Sequence, residues 1–311
     1  MKPAVHSAAA AVPSATNWDA TGARSAHRFA DFVTLAKPRL NLLVLMTTTA
    51  GLYLAAPDGV ALPVLVHTLL GTALVAGGAS ALNQVLERDT DALMRRTRNR
   101  PVASGRLRAI EGSMFGLGMS AAGLAELAIG VNVLCAAVAA LTLVSYLLLY
   151  TPLKRHTSLA TLVGAVPGAL PPVLGWAAAA NDVTLPALVL FGIMFFWQMP
   201  HFLAIAWLYR DDYAAAGIPL LPVLEPDGHR TGRQALLYGT ALWPVSLMPS
   251  LVGLAGDFYI AVATVLGLTL IALCAKFARD RSAQTARQLF LFSITHLPLL
   301  LGALVVDRLW I

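Results

Sequence analysis

The chain has 311 residues, of which 58% are hydrophobic and only 12% charged, with a mean hydropathy of +0.70. So apolar a composition excludes an ordinary water-soluble domain and points to lipid as the main solvent. A formal net charge of +6 would suit a nucleic-acid binder, but the basic residues sort by position relative to the apolar runs, as membrane topology requires, and nucleic acid is not an expected partner.

Residues 1–31 are rich in Ala, Ser and Thr and lack the apolar core and cleavage pattern of a signal peptide. They are expected to form a disordered cytoplasmic tail, with 32–311 as a single intramembrane domain. A spanning helix takes about 20 mostly apolar residues. In chain order nine runs meet that description: Leu40 to Ala56, Val60 to Leu82, Ser113 to Val131, Val133 to Tyr150, Leu159 to Ala180, Leu185 to Leu208, Ala235 to Ala255, Phe258 to Ala275 and Leu289 to Val306. The expected fold is all-α, a polytopic membrane bundle of about nine helices with a cytoplasmic N-terminus and an outside C-terminus.

Asn132 is the only polar hinge between the third and fourth runs. Treating it as a break puts 21 of the 22 Lys and Arg residues on the inner side and only Arg308 outside, whereas merging the two runs scatters the later charges. Pro167, Pro171 and Pro172 are expected to break the fifth run and Pro200 the sixth. Cys135 and Cys274 lie inside apolar runs, which argues against a disulfide framework or a thiolate metal site. The outer connections are short and two inner loops are long and polar, so chemistry is expected on the inside. Those loops follow the second and sixth runs, a four-span spacing that hints at tandem duplication.

The second run ends in "ALNQVLERDTDALMRRTRNRP", where Asn83, Glu87 and Asp91 recur every four residues and so share one helical face. Carboxylates are costly at the end of an apolar helix unless paired or metal-bound. Oxygen ligands of this kind suit Mg²⁺ bound together with a phosphate-bearing substrate, and Arg95, Arg96, Arg98 and Arg100 follow at once with guanidinium groups fit for phosphate. The alternative is that Glu87, Asp89 and Asp91 pair with those arginines at the membrane surface. A second acidic motif, "AWLYRDDYAAAGIPLLPV", brings Asp211, Asp212 and Tyr213 to the end of the sixth run. Two such motifs on one membrane face suggest a shared diphosphate site.

These residues resemble the UbiA-type intramembrane prenyltransferases from about Phe32 onward. The shared pattern is an Asn with acids four and eight residues later, plus a second acidic motif four helices on. The segments "AKPRLN" (Ala36 to Asn41), "RTRNRP" (Arg96 to Pro101), "YTPLKRHT" (Tyr150 to Thr157), "GALPPVLGW" (Gly168 to Trp176), "WQMPHF" (Trp197 to Phe202) and "YRDDYAAAGIPLLPV" (Tyr209 to Val223) are similar to the haem-using branch of that family. Glu87 stands where an Asp is usual, and Tyr209 and Tyr213 stand roughly where other members carry the second pair of aspartates; the haem-using members share both departures.

The resemblance implies Mg²⁺-assisted ionisation of farnesyl diphosphate, with transfer of the farnesyl group to a vinyl of haem B, giving haem O. Carried over residue by residue, Asn83, Glu87, Asp91 and Asp212 would hold the metal. Lys154 with Arg96, Arg100 and Arg155 would neutralise the diphosphate. Tyr213, His201, Lys37 and Arg39 would contact substrate, the last two at a haem propionate. His201 has a plainer reading as a polar contact steadying a Pro-bent helix, Lys37 and Arg39 as headgroup anchors, and Glu126 as an interhelical pairing residue. His296 is a weaker candidate haem ligand. The expected setting is the bacterial inner membrane with the site facing the cytoplasm, and product passing to a haem A synthase or terminal oxidase. Two rivals remain at this level: a family member that prenylates an aromatic acid or chlorin, and a secondary transporter lined by the same charges.

Overall fold

The computed structural model describes residues 28–310. The expected tail lies outside the described residues up to position 27, while 28–31 open the first helix. The helices are α1 (28–36), α2 (Pro38–Leu54), α3 (Leu62–Leu86), α4 (Arg88–Leu93), α5 (Ala109–Gly130), α6 (Val133–Val144), α7 (Thr151–Leu153), α8 (Ala160–Ala169), α9 (Pro171–Ala180), α10 (Leu185–Leu208), α11 (Arg210–Ala215), α12 (Leu221–Leu224), α13 (His229–Leu251), α14 (Asp257–Asp280) and α15 (Ala283–Asp307). A π-helical turn, Ser145–Tyr150, joins α6 to α7. No strand occurs among the described residues, as expected where lipid cannot satisfy an open sheet edge.

Among the described residues seven helical units are long and apolar enough to cross a membrane: α3, α5, α6 through α7, α8 with α9, α10, α14 and α15. The protein is a multi-pass integral membrane protein. The first and seventh expected spans correspond to α2 and α13. The 17 residues of α2 rise only about 25 Å, short of a hydrocarbon core of about 30 Å. The first turns of α13 carry His229, Arg230, Arg233 and Gln234, so its apolar stretch begins late.

Asn132 acts as the hinge the sequence indicates. Its side chain caps α6 by accepting from Cys135 N at 2.7 Å and donates to Ala177 O at 2.9 Å, tying the α5–α6 corner to α9. The fifth span breaks at Leu170, between α8 and α9. Pro200 behaves otherwise than expected: α10 runs unbroken through it for 24 residues. A proline removes one N–H from the ladder, and a bundle of neighbouring helices tolerates that loss.

The two halves end alike. Helix α3 stops at Glu87 and is followed by six-residue α4, which begins Arg88-Asp89; α10 stops at Tyr209 and is followed by six-residue α11, which begins Arg210-Asp211. In this register Tyr209 occupies the place of Glu87, and Tyr213 that of Asp91.

Helices α2 and α9 pack without room for side chains at two levels. A Cβ on Gly51 would fall 2.0 Å from Pro172 O, and one on Gly175 would fall 1.9 Å from Thr48 O. Backbone cannot yield as a flexible side chain does, so Gly175→Ala is expected to cost at least the 1–3 kcal/mol typical of overpacking. A clear fall in the thermal unfolding temperature of the purified protein in detergent checks this; an unchanged temperature contradicts the close α2–α9 approach.

Candidate active site

Asn83, Glu87 and Asp91 are all buried, at 3%, 3% and 1% exposure. Their burial follows from the spacing that put them on one face of α3 and its continuation. Asn83 Nδ2 donates to Thr151 Oγ1 at 3.3 Å. Glu87 Oε1 lies 2.7 Å from Lys154 Nζ, so the end of α3 is pinned to the end of α7. Asp91 Oδ2 accepts from Arg100 Nη1 at 2.6 Å, while Oδ1 is buried with no hydrogen-bond partner among the described residues. Burial pushes the Asp91 carboxyl above the usual range, and Arg100 pulls against it.

Arg96 joins this motif to the second one. Its Nη2 donates to Tyr213 OH at 2.5 Å, and its guanidinium lies 4.6 Å from the Tyr213 ring centroid and 5.1 Å from that of Tyr209. Arg155 Nη2 donates to Leu86 O at 2.6 Å and so caps the C-terminal end of α3. Of the acidic residues in the second motif, Asp211 is exposed beside Arg210, and Asp212 is half-buried, outside the cavity lining and outside any ion pair among the described residues. The side chain that reaches the site from α11 is Tyr213. Among the described residues no group of three or more His, Cys, Asp or Glu side chains converges; Glu87 and Asp91 are held by Lys154 and Arg100.

Below this rim runs a cavity of about 460 Å³. Lys37, Tyr150 and Tyr213 line its charged end; mostly small and apolar residues of α2, α3, α6, α8, α9 and α10 line the rest, with hydroxyls at Thr72, Ser80, Thr142 and Thr161. Tyr146 and Tyr150 stack at 5.6 Å between centroids, and Gly164 leaves room for the Tyr150 ring, which a Cβ there would meet at 2.5 Å. Gln198, 2% exposed, lines the cavity and donates to Ala165 O at 2.7 Å.

Lys37 reaches the cavity from a strained joint. It has φ 48° between α1 and Pro38, a conformation that costs roughly 1–3 kcal/mol for a residue with a side chain. Burial, with Arg100 nearby, lowers its pKa to about 8, while Glu87 and Asp91 act in the opposite sense and Lys154 adds to the lowering.

Sequence reasoning places some residues elsewhere. His201 is not in the cavity lining: the cavity face of α10 carries Gln198, Phe202 and Ile205, whereas His201 stacks on Trp197 and hydrogen-bonds Ser293 Oγ of α15 at 2.8 Å. Its plainer reading, a polar contact within the bundle, is what its partners support. Arg39 is exposed and outside the lining. Glu126 pairs with His67 Nδ1 at 2.7 Å, an interhelical contact between α5 and α3. His296 is fully buried and outside the cavity. Tyr146, Tyr150 and Gln198 were not singled out, although Tyr146, Tyr150 and Lys154 repeat the four-residue spacing of Asn83, Glu87 and Asp91.

A charged rim beside a half-open apolar cavity suits an enzyme that handles a substrate with a charged head and an apolar tail. Residues 44–296 match the UbiA prenyltransferase family, and the chain belongs to it: it is an intramembrane prenyltransferase. Within the family it is similar to proteins named protoheme IX farnesyltransferase. That of Solibacter usitatus is 47% identical over 287 residues, covering 89% of this chain and 98% of the relative. That of Myxococcus xanthus is 47% identical over 279 residues, covering 89% and 94%, and that of Aquifex aeolicus 41% over 278 residues, covering 89% and 94%. Among solved structures, a digeranylgeranylglyceryl phosphate synthase superposes with a TM-score of 0.78 at 14% identity, covering 92% of this chain and all of the other. A UbiA homologue from Archaeoglobus fulgidus bound to GPP and Mg²⁺ superposes at 0.61 with 17% identity, covering 88% and 99%. At such identities the structures speak to the fold alone.

Two predictions follow from the rim. Lys154→Met leaves Glu87 buried without its partner, a loss of about 3–5 kcal/mol. Thermal unfolding should therefore drop more for Lys154→Met than for the double variant with Glu87→Gln, and equal drops would break the pairing argument. The Lys37 ammonium is charged below about pH 8 and neutral above it, so the KM for an anionic prenyl diphosphate should rise as pH passes that value, and Lys37→Arg should flatten the rise. A flat KM in the parent protein would remove Lys37 from substrate binding.

Proposed function

We propose that this prenyltransferase moves the farnesyl group of farnesyl diphosphate to a vinyl carbon of protohaem IX, yielding haem O. The observation that carries the donor half is an apolar cavity whose polar end, lined by Lys37, Tyr150 and Tyr213, adjoins the Glu87–Lys154 and Asp91–Arg100 pairs, with Lys154 Nζ 6.0 Å from the Tyr150 ring centroid and Arg96 donating to Tyr213 OH. The acceptor half is supported by the relatives named above, matched over nearly their whole length.

The diphosphate sits at the rim, where Arg96, Arg100, Lys154 and Lys37 meet the negative charge that develops as the carbon–oxygen bond ionises. Arg155 steadies the end of α3. The unpartnered Asp91 Oδ1 and the oxygen-bearing side chains of Asn83 and Glu87 fit a hard divalent cation, and we assign Mg²⁺ to them, with Asp212 of the second motif as a further candidate. The chemistry such an ion supplies is neutralisation of diphosphate oxygens. Tyr146 and Tyr150 present aromatic faces to the allylic cation just below the rim, a contact worth about 0.5–2 kcal/mol, and the apolar walls keep water from quenching it. With diphosphate departed, the cation forms a carbon–carbon bond to the terminal vinyl carbon, the positive charge passes to the carbon next to the porphyrin, and water adds there and loses a proton to give the hydroxyethylfarnesyl product.

We read α2 and α13 as the remaining two crossings, which gives nine, with the site on the cytoplasmic side of the bacterial inner membrane. The distribution of Lys and Arg supports this reading. Handover of haem O to a haem A synthase or terminal oxidase belongs to the same proposal.

Mass spectrometry of haem extracted from cells with and without the protein tests the reaction; haem O should appear only with it. Conversion of 4-hydroxybenzoate and not protohaem by the purified enzyme would move the assignment to another branch of the family, and prenyl-independent solute uptake into vesicles would favour a transporter. Asp91→Ala, still membrane-inserted, should lose product formation, and chelation of Mg²⁺ should do the same to the parent enzyme. Tyr150→Leu should lower kcat about 3- to 30-fold with little change in KM, while Tyr150→Phe, which keeps the ring, should stay near the parent value.

A further inference from the structure

The cavity has a floor at a measurable depth. On α3 its deepest lining residue is Thr72, 15 positions before Glu87; on α6 it is Ala139, 15 positions before Lys154; on α9 it is Leu174, 14 positions after the start of α8 at Ala160. Glu87 and Lys154 are in contact, so α3 and the α6–α7 unit share one rim, and at about 1.5 Å per residue Thr72 and Ala139 lie roughly 20–23 Å along their helices from it, much as Leu174 lies about 21 Å along α8 and α9 from Ala160. At that level α2 and α9 meet backbone to backbone, Gly51 against Pro172 O and Gly175, next to Leu174, against Thr48 O, so no chain passes between these two helices.

We propose that Thr72, Ala139 and Leu174 form a length gauge that selects a fifteen-carbon prenyl donor. This rests on the reading of the protein as a farnesyl transferase and adds which residues set that preference. With the diphosphate occupying the turn between Asn83 and Glu87, the 11 residues from Asn83 down to Thr72 leave a channel of about 16 Å. The twelve-carbon main chain of a farnesyl group, built from zigzag bonds of about 1.5 Å, spans about 14 Å. A geranylgeranyl chain is longer by about 5 Å and meets the floor; a geranyl chain is shorter by the same amount and leaves it empty. The end of the cavity yields least at Leu174, whose neighbours Pro172 and Gly175 are held against the backbone of α2, whereas Ala76 and Ala79 line its side.

The test compares geranyl, farnesyl and geranylgeranyl diphosphate as donors to protohaem, reading the ratio of kcat/KM within each variant so that differences in yield cancel. Leu174→Ala lowers the floor and should raise the geranylgeranyl-to-farnesyl ratio about tenfold or more, the scale of a misfit of a methylene or so in an apolar pocket. Ala139→Leu raises the floor and should shift preference toward geranyl by a similar factor. Where a variant is inactive with every donor, competition among the three non-hydrolysable thiolo-diphosphate analogues for binding reads the same order. Unchanged ratios in both variants, beside a parent enzyme that transfers farnesyl, would overturn the gauge. A parent enzyme that transfers no prenyl group to protohaem would instead overturn the underlying functional reading.

Discussion

Two carboxylates are buried where an apolar helix leaves the membrane, and the rest of the site is arranged around compensating them. Removing a carboxylate from water is affordable only against a cation in direct contact. Glu87 takes Lys154 from the end of α7, and Asp91 takes Arg100 from the loop after α4. These pairs fix the relative height of α3 and α7 and fold the arginine-bearing loop back over the cavity mouth. Arg96 then reaches across to Tyr213, joining the ends of the two similar halves.

Below that rim the requirements reverse. A prenyl cation needs walls poor in nucleophiles, and α3, α6, α8 and α9 supply mostly Ala, Val, Leu, Gly and Pro there, the hydroxyls being Thr72, Ser80, Thr142 and Thr161, with two stacked tyrosines at the level where positive charge would form. The π-helical turn that ends α6 holds those tyrosines; such turns recur at functional sites because the extra residue per turn re-aims side chains. Lys37 stands between the two regimes, aimed inward by a left-handed joint ahead of Pro38.

The double acid motif, the arginines after it and Lys154 were legible because their spacing and charge are rare in an apolar chain. Asn132 was legible for the same reason. His201 misled because a polar side chain in a span advertises function equally whether it faces a cavity or a neighbouring helix; here Ser293 on α15 satisfies it. Tyr213 was read as a substrate contact beside Asp212, and register explains its place: it occupies the position equivalent to Asp91, and it is the tyrosine that lines the cavity. Tyr146, Tyr150 and Gln198 were not singled out, the last two entering only within longer motifs, since aromatic residues near span ends and amides within spans are common for reasons of interface and packing.

By itself the sequence determined the all-helical membrane fold, through the length of its apolar runs, and the chemical character of the rim, through the four-residue recurrence of Asn83, Glu87 and Asp91. Both are local properties, set by hydropathy and helical period. Only the tertiary structure decided which cation neutralises which acid, which face of α10 looks into the cavity, and how deep the cavity goes. Those depend on contacts between residues tens of positions apart in the chain, such as Glu87 with Lys154 and Gly175 with Thr48, and no periodicity along one helix encodes them.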